Sequence, residues 1–171
     1  GEIALVVASR SDAYALTRAA DRGIPSEVVR RKDFEDQAAY EDALTSLMRE
    51  NKIDLIVLAG FMSILSKAFT DRFPQRMINI HPSLIPSFCG KGFYGIHVHE
   101  AALRYGEKVS GATVHFVNEI PDGGQIIRQK AVPVLPGDTP ESLQKRVMEE
   151  AEWIILPEAT EEIAARLLAE A

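Results

Sequence analysis

This 171-residue sequence has almost no sulfur chemistry to draw on: its one cysteine is Cys89, so no internal disulfide can form. A lone thiol fits a reducing compartment. Long apolar runs are absent as well. None reaches the roughly 20 residues that a membrane-spanning helix needs, and no secretory signal pattern is visible, so the expected location is the cytoplasm. Basic residues are not in excess: 19 Lys and Arg face 25 Asp and Glu, for a net charge of −6. That balance excludes a general nucleic-acid binder, which needs clustered Lys and Arg to neutralise phosphates. There is no internal repeat, low-complexity tract or linker. What is present is an ordinary globular balance, 46% hydrophobic and 26% charged, at a length that suits one domain with a substantial core.

Short runs rich in Val and Ile alternate with helical patterns. Residues 3–8 read as a buried strand, and 12–22 as a helix stopped at Gly23 with Pro25 beyond. Residues 27–30 read as a short strand. Residues 36–50 form an amphipathic pattern, with Tyr40, Leu44, Leu47 and Met48 at helical spacing. Residues 53–58, Ile-Asp-Leu-Ile-Val-Leu, are nearly all apolar, as in a strand covered on both faces. Another short strand is expected at 77–80. The alternation predicts an α/β fold, an open, mostly parallel twisted sheet with helices on both faces and right-handed crossovers. From residue 81 the pattern changes to a long loop holding Pro82, Pro86, Gly90, Gly92 and Gly95. A helix at about 97–105 follows, then two longer strands, 110–117 and 125–135. The end reads as two helices, 140–152 and from about Pro157 onward.

All four histidines, His81, His97, His99 and His115, fall within one fifth of the chain. A metal site is the first reading to test. His97 and His99 stand two apart, which on a helix points them away from each other. No Cys-x-x-Cys or His-Glu-x-x-His accompanies them, so no metal is expected. A sharper pattern is Asn79-Ile80-His81-Pro82-Ser83-Leu84. On a strand, Asn79 and His81 project to the same side, at the C-terminal end of a parallel strand, where open α/β sheets place their ligands. An amide donor beside an imidazole suits a developing oxyanion. The same histidine would equally serve as a strand-end cap bonded to a carbonyl. Asp122-Gly123-Gly124 between two strands is a hairpin signature. It gains chemistry only if Asp122 reaches His81, where a carboxylate would raise and orient the imidazole as an acid near neutral pH. Residues 58–65, with Gly60, would line a ligand cleft or simply pack in the core.

Taken in order, Gly60-Phe61-Met62, Asn79-Ile80-His81-Pro82-Ser83-Leu84, Ser110-Gly111-Ala112-Thr113-Val114-His115-Phe116-Val117 and Asp122-Gly123-Gly124 resemble the phosphoribosylglycinamide formyltransferase family of folate-dependent formyltransferases. The resemblance runs from about Ala4 to Pro157. Val132–Leu135, with Glu152 and Leu156-Pro157, favours the branch acting on glycinamide ribonucleotide. It implies that the substrate amine attacks the formyl carbon of 10-formyltetrahydrofolate, a co-substrate rather than a tightly bound cofactor. Asn79 and a protonated His81 would hold the oxyanion. Asp122 would sustain the His81 charge and help pass a proton to the folate nitrogen. His115 would support this centre. Met62, Ser63, Ile64 and Leu65, with Asn118, Glu119, Ile120 and Pro121, match the folate pocket. Pro82, Ser83 and Glu152 match the ribonucleotide side. The implied partners are these two small molecules, with no nucleic acid and no membrane, and a monomer or homodimer.

The departures also carry expectations. The family opens with a strand and a Gly-rich loop that holds phosphate at a helix N-terminus. Here the first strand matches the family's second, so residues 1–171 are expected to be a single formyltransferase domain that lacks its first strand-helix unit. Ser63 and Gln37 stand where basic residues are common, which bears on affinity for folate and phosphate. Two other functions share much of the pattern: a formyltetrahydrofolate hydrolase, with water as acceptor, and a non-catalytic folate-binding relative.

Overall fold

The structure is a computed structural model and describes residues 1–170. Its fold is α/β, with helices on both sides of a mixed sheet. Two compact units are distinguished, Gly1–Asp54 and a second that starts at Leu55.

In the first unit, β1 (Val6–Ala8) pairs in parallel with β2 (Ser26–Val28). The ladder is shorter than residues 3–8 predicted. Val6 N–H already bonds the Pro25 carbonyl, and Pro25 has no N–H to extend the pairing. Helix α1 (Tyr14–Ala20) connects them. Helix α2 (Gln37–Glu50) begins where Asp36 accepts a hydrogen bond from Ala39 N–H at 2.8 Å, a role Asp side chains favour at an N-cap. It buries Tyr40, Leu44 and Met48 along one face, at steps of four. Ile53, expected to open the next strand, instead donates its N–H to the Met48 carbonyl and closes this helix.

The second unit holds strands β3 (Ile56–Leu58), β4 (Met77–His81), β5 (Val109–Phe116) and β6 (Ile126–Pro133), in that spatial order. β3 and β4 run parallel, while β4–β5 and β5–β6 are antiparallel. The mostly parallel expectation therefore holds for β1–β2 and β3–β4 and gives way at β4–β5; β5 and β6 then form a hairpin, their connection being too short for a crossover helix. Gly124 is required there, because a Cβ would collide with the Phe116 carbonyl oxygen. Gly111 is likewise required, since its Cβ would meet the Lys130 carbonyl across the β5–β6 ladder. A register shift lies between Val114 and His115, the kind of bulge that re-aims a side chain near a site. The short helix α3 (Lys67–Thr70), capped by Ser66, was not apparent in the pattern. A four-residue helix shows no periodicity.

Helix α4 (Ile96–Tyr105) ends at Gly106, which has a left-handed φ of 83°. Helix α5 (Pro140–Val147) starts with a capping box from Thr139 and Ser142. It continues through a π-helical turn, Met148–Glu152, into α6 (Trp153–Glu170). The boundary expected near Pro157 thus lies inside a helix. Leu143, Val147, Ala151, Ile155, Ala159, Ile163 and Leu167 recur at steps of four and join Ile78, Ala112, Val114 and Val132 in one core. Steps of four drift about 40° per turn around an α-helix. One wide turn partly resets that drift and keeps the stripe on the sheet.

Arg146, near the end of α5, ties the helix to the β6–α5 connection through Asp138 and to the end of β6 through the Pro133 carbonyl at 3.0 Å. The bidentate contacts of Arg146 with Asp138 are 2.6 and 2.8 Å, and Asp138 also accepts from Leu135 N–H at 2.7 Å. The Arg146 guanidinium holds the Asp138 carboxyl far below the ordinary carboxylate range. A carboxyl depressed in the folded state stabilises above its unfolded value, about 4, and loses that contribution only as pH falls through the folded value. Asp138→Asn is expected to cost about 2–3 kcal/mol at pH 7. In urea melts of both proteins the gap should persist down to about pH 5 and shrink only below about pH 4.

Candidate active site

Strand β4 runs straight into the site. Asn79 and His81 alternate on its C-terminal end and pair across the ladder with His115 and Thr113 of β5. Directly opposed residues share a face of the sheet, so Asn79, His81 and His115 emerge together. Asp122 arrives from the β5–β6 connection at a left-handed φ of 56°, a conformation Asp tolerates better than most residues. The turn reading and the chemical reading of this aspartate are therefore the same feature: the turn aims the carboxylate.

The distances define a compact polar cluster. His81 Nε2–H donates to the Phe88 carbonyl at 2.9 Å, and His81 Nδ1 lies 3.4 Å from Asp122 Oδ2. Gly90 N–H donates to the same Asp122 oxygen at 2.8 Å. His115 Nδ1 donates to the Phe116 carbonyl at 2.7 Å. That leaves His115 Nε2 to accept from the Asn79 amide at 3.2 Å when neutral, or to meet Asp122 Oδ1 at 3.5 Å when protonated. Phe88 and Gly90 act through backbone groups. They were not foreseen, because a backbone contact from a long loop leaves no signature in side-chain identity.

Burial changes the expected electrostatics. It lowers the His81 pKa, and the Phe88 carbonyl and the Asp122 charge, which both favour the proton, do not fully compensate. The expectation that Asp122 would leave His81 raised is therefore corrected: desolvation of the imidazolium is the larger effect. Burial alone would raise the Asp122 carboxyl. Hydrogen bonds from His115 and Gly90, with the charges of His81 and His115, outweigh it and hold Asp122 below its ordinary value. Near neutral pH the cluster thus carries a carboxylate beside an uncharged His81 imidazole.

These groups stand at one wall of a cavity of about 550 Å³. Met62, Ser63, Ile64 and Leu65 line it from the segment after β3, and Asn118, Glu119, Ile120 and Pro121 from the segment after β5. Gly60, Phe61 and residues 90–95 line it too, among them Lys91, Phe93 and Tyr94, which the motifs did not single out. Pro82 borders the cavity. Ser83 does not: it is buried, and its hydroxyl donates to the Ser87 carbonyl. Glu152 lies on the π-helical turn, outside the cavity lining, with its carboxyl pushed up by burial. Gln37 donates to Glu41 within α2 and belongs to the first unit. His97 is exposed and pairs with Glu100 at 2.9 Å, whereas His99 is fully buried with neither ring nitrogen partnered.

The surroundings of His99 push its pKa down to about 4, chiefly through burial, with the neighbouring His81 adding to the shift. An imidazole lowered on folding favours the unfolded state as pH falls, because only the unfolded chain takes up the proton. Histidine NMR is expected to show His99 titrating near about 4 and His81 below its ordinary 6.5. Stability should decline between about pH 6.5 and pH 4, by about 3 kcal/mol in total. His99→Leu should flatten most of that slope in denaturant melts.

A family model described as formyl transferase matches residues 1–160. Phosphoribosylglycinamide formyltransferase from Haemophilus influenzae is 41% identical over 156 residues, which is 91% of this chain and 71% of that protein. The trifunctional purine biosynthetic protein adenosine-3 of Drosophila melanogaster is 43% identical over 152 residues, or 89% of this chain but 11% of that protein. The chain thus spans about a tenth of that relative's length. Among solved structures, phosphoribosylglycinamide formyltransferase from Brucella melitensis superposes with a TM-score of 0.86 at 43% identity, covering 96% of this chain and 81% of that one. Glycinamide ribonucleotide transformylase 1 from Symbiobacterium toebii superposes with a TM-score of 0.85 at 40% identity, covering 93% and 72%.

Proposed function

The chain belongs to the formyl transferase family, and from that premise we propose that it transfers the formyl group of 10-formyltetrahydrofolate to the amine of glycinamide ribonucleotide, in purine biosynthesis in the cytoplasm. We read residues 1–171 as one formyltransferase domain. The observation that carries the functional reading is the meeting of Asn79, His81 and Asp122 at one wall of a single cavity, with His81 Nδ1 and Asp122 Oδ2 3.4 Å apart. Names of relatives that carry out this transfer support the choice of acceptor.

In the proposed reaction the substrate amine attacks the formyl carbon and the carbonyl oxygen becomes an oxyanion. The Asn79 amide donates to that oxygen, a position where a preorganised donor lowers the barrier. The attacking nitrogen becomes cationic and must shed a proton. An uncharged His81 beside the Asp122 carboxylate is ready to take it. The resulting imidazolium is stabilised by Asp122 and by the new oxyanion, and the proton then passes to the folate nitrogen as the carbon–nitrogen bond to it breaks. Asn79 and His81 thus share the oxyanion, while Asp122 stabilises the charged His81 and His115 supports the centre through its contact with the Asn79 amide. Met62–Leu65 and Asn118–Pro121 would take the folate ring system. On the ribonucleotide side, Pro82 would make contact, Ser83 would shape the loop beside it, and Glu152 would offer a carboxyl suited to a hydroxyl. The folate is a co-substrate in this scheme, and the scheme needs no tightly bound cofactor.

The test supplies 10-formyltetrahydrofolate with and without glycinamide ribonucleotide and follows tetrahydrofolate and formylated product together. Matched release of both, dependent on the ribonucleotide, is expected. Tetrahydrofolate released equally fast without the acceptor would identify a hydrolase, and folate binding without turnover would identify a non-catalytic relative. His81→Ala and Asp122→Ala should each lower kcat by about 10²–10³-fold. The acidic limb of kcat/KM should lie below about pH 6.5, since protonating His81 removes the proton acceptor. Asp122→Asn should shift that limb to lower pH, because the carboxylate raises His81.

A further inference from the structure

The loop after β4 supplies two backbone groups to the site, the Phe88 carbonyl on His81 and the Gly90 N–H on Asp122. It has no helix or strand of its own between Pro82 and Gly95, so something else must hold it. The hydrogen bonds lead away from the cavity. Thr113 is fully buried on β5. Its hydroxyl donates to the Ser83 carbonyl at 2.7 Å and accepts from Ile85 N–H at 3.1 Å. Gln129 lies directly opposite Thr113, on the outer strand β6. Its side-chain amide donates to the Thr113 hydroxyl and to the Ile85 carbonyl, both at 3.0 Å. Ser83 in turn donates to Ser87 at 2.5 Å and lies 3.5 Å from the Phe88 carbonyl.

His81, Thr113 and Gln129 are successive partners in one row across β4, β5 and β6. From the outer strand the hydrogen bonds reach the imidazole through the loop: Gln129 to Thr113, Thr113 to Ser83, and Ser83 to the neighbourhood of the Phe88 carbonyl that His81 bonds. A hydroxyl that gives its one proton to Ser83 can still accept twice, and Gln129 and Ile85 N–H use that capacity. Gln129 is not among the residues lining the cavity that holds His81; it lines a separate depression with Arg128, Lys130 and Ile154.

We propose that Gln129 is a positioning residue for the reaction: through Thr113 and Ile85 it fixes the 83–88 segment so that the Phe88 carbonyl stays on His81. The proposal rests on the reading of His81 given under Proposed function. Losing Gln129 would loosen the acceptor that orients the imidazole, and displacement of a reacting group by even about 1 Å is costly in rate. It would also weaken the Phe88 bond, which favours the protonated ring.

The test compares Gln129→Met, which keeps length but has no donor, with Thr113→Val and the double variant. For Gln129→Met we expect kcat to fall about 10- to 100-fold, with KM for both substrates changed by less than about twofold, since the reacting groups rather than the binding surfaces are disturbed. The His81 NMR titration midpoint should move to lower pH. The double variant should be no worse than Thr113→Val alone, as for groups acting in one chain. Thr113→Ser should restore most of the rate. Wild-type kcat and an unmoved His81 midpoint in Gln129→Met would overturn the proposal while leaving the catalytic reading intact, provided His81→Ala is still inactive. An active His81→Ala would instead sink the catalytic reading itself. If Gln129→Met lowered thermal stability alone, with kcat and the midpoint unchanged, the role would be structural and the proposal wrong.

Discussion

A buried imidazole with a carboxylate beside it is tolerable only when every polar atom around it is satisfied, and much of this fold answers that demand at His81. Its Nε2 proton needs an acceptor, which a loop carbonyl supplies at 2.9 Å. The Asp122 carboxylate needs donors: the Gly90 N–H supplies one, and each histidine becomes one only when its ring is protonated. The loop itself must then be held in place, and Thr113 and Gln129 of the adjoining strands do so. Each partner recruits another, until a row of side chains crosses three strands. Half-satisfied networks of this kind are worse than an apolar core, which explains why the polar groups extend so far beyond the cavity.

Desolvation sets the chemical state of that centre. A carboxylate beside a histidine suggests a raised pKa, and in water-exposed sites that is the usual outcome. Here the ring is buried enough for the cost of charging it to exceed what one neighbouring anion returns. The centre rests uncharged at the imidazole and charged at the carboxylate. It becomes an imidazolium favourably only when a further negative charge appears nearby, as a developing oxyanion would. His99, deeper in the same region and without partners, marks how strongly this interior opposes added positive charge.

The α/β class, most element positions and the projection of Asn79 and His81 from one face of β4 were legible in the sequence, because each depends on periodicity or short motifs that act locally; Asp122 was joined to them only through the family resemblance. The shortened β1, the closing of α2 at Ile53 and the continuous helix through Pro157 were not. Each was decided by a partner: Pro25 across the ladder, the Met48 carbonyl, and a core stripe that a π-helical turn keeps facing the sheet. At the site, the pairing of Asn79 with His115 and the loop contacts from Phe88 and Gly90 likewise depended on which segments meet in space.

Residue chemistry by itself determined what this protein can offer a reaction: an amide, an imidazole and a carboxylate, with apolar segments to make a pocket. It did so because those properties belong to single side chains and short spacings. Tertiary structure alone decided the protonation state of His81, the direction of its hydrogen bonds, and the placement of Ser83 and Glu152 away from the cavity. Those properties depend on burial and on groups 30 to 44 residues distant in the chain, and no local pattern carries that information.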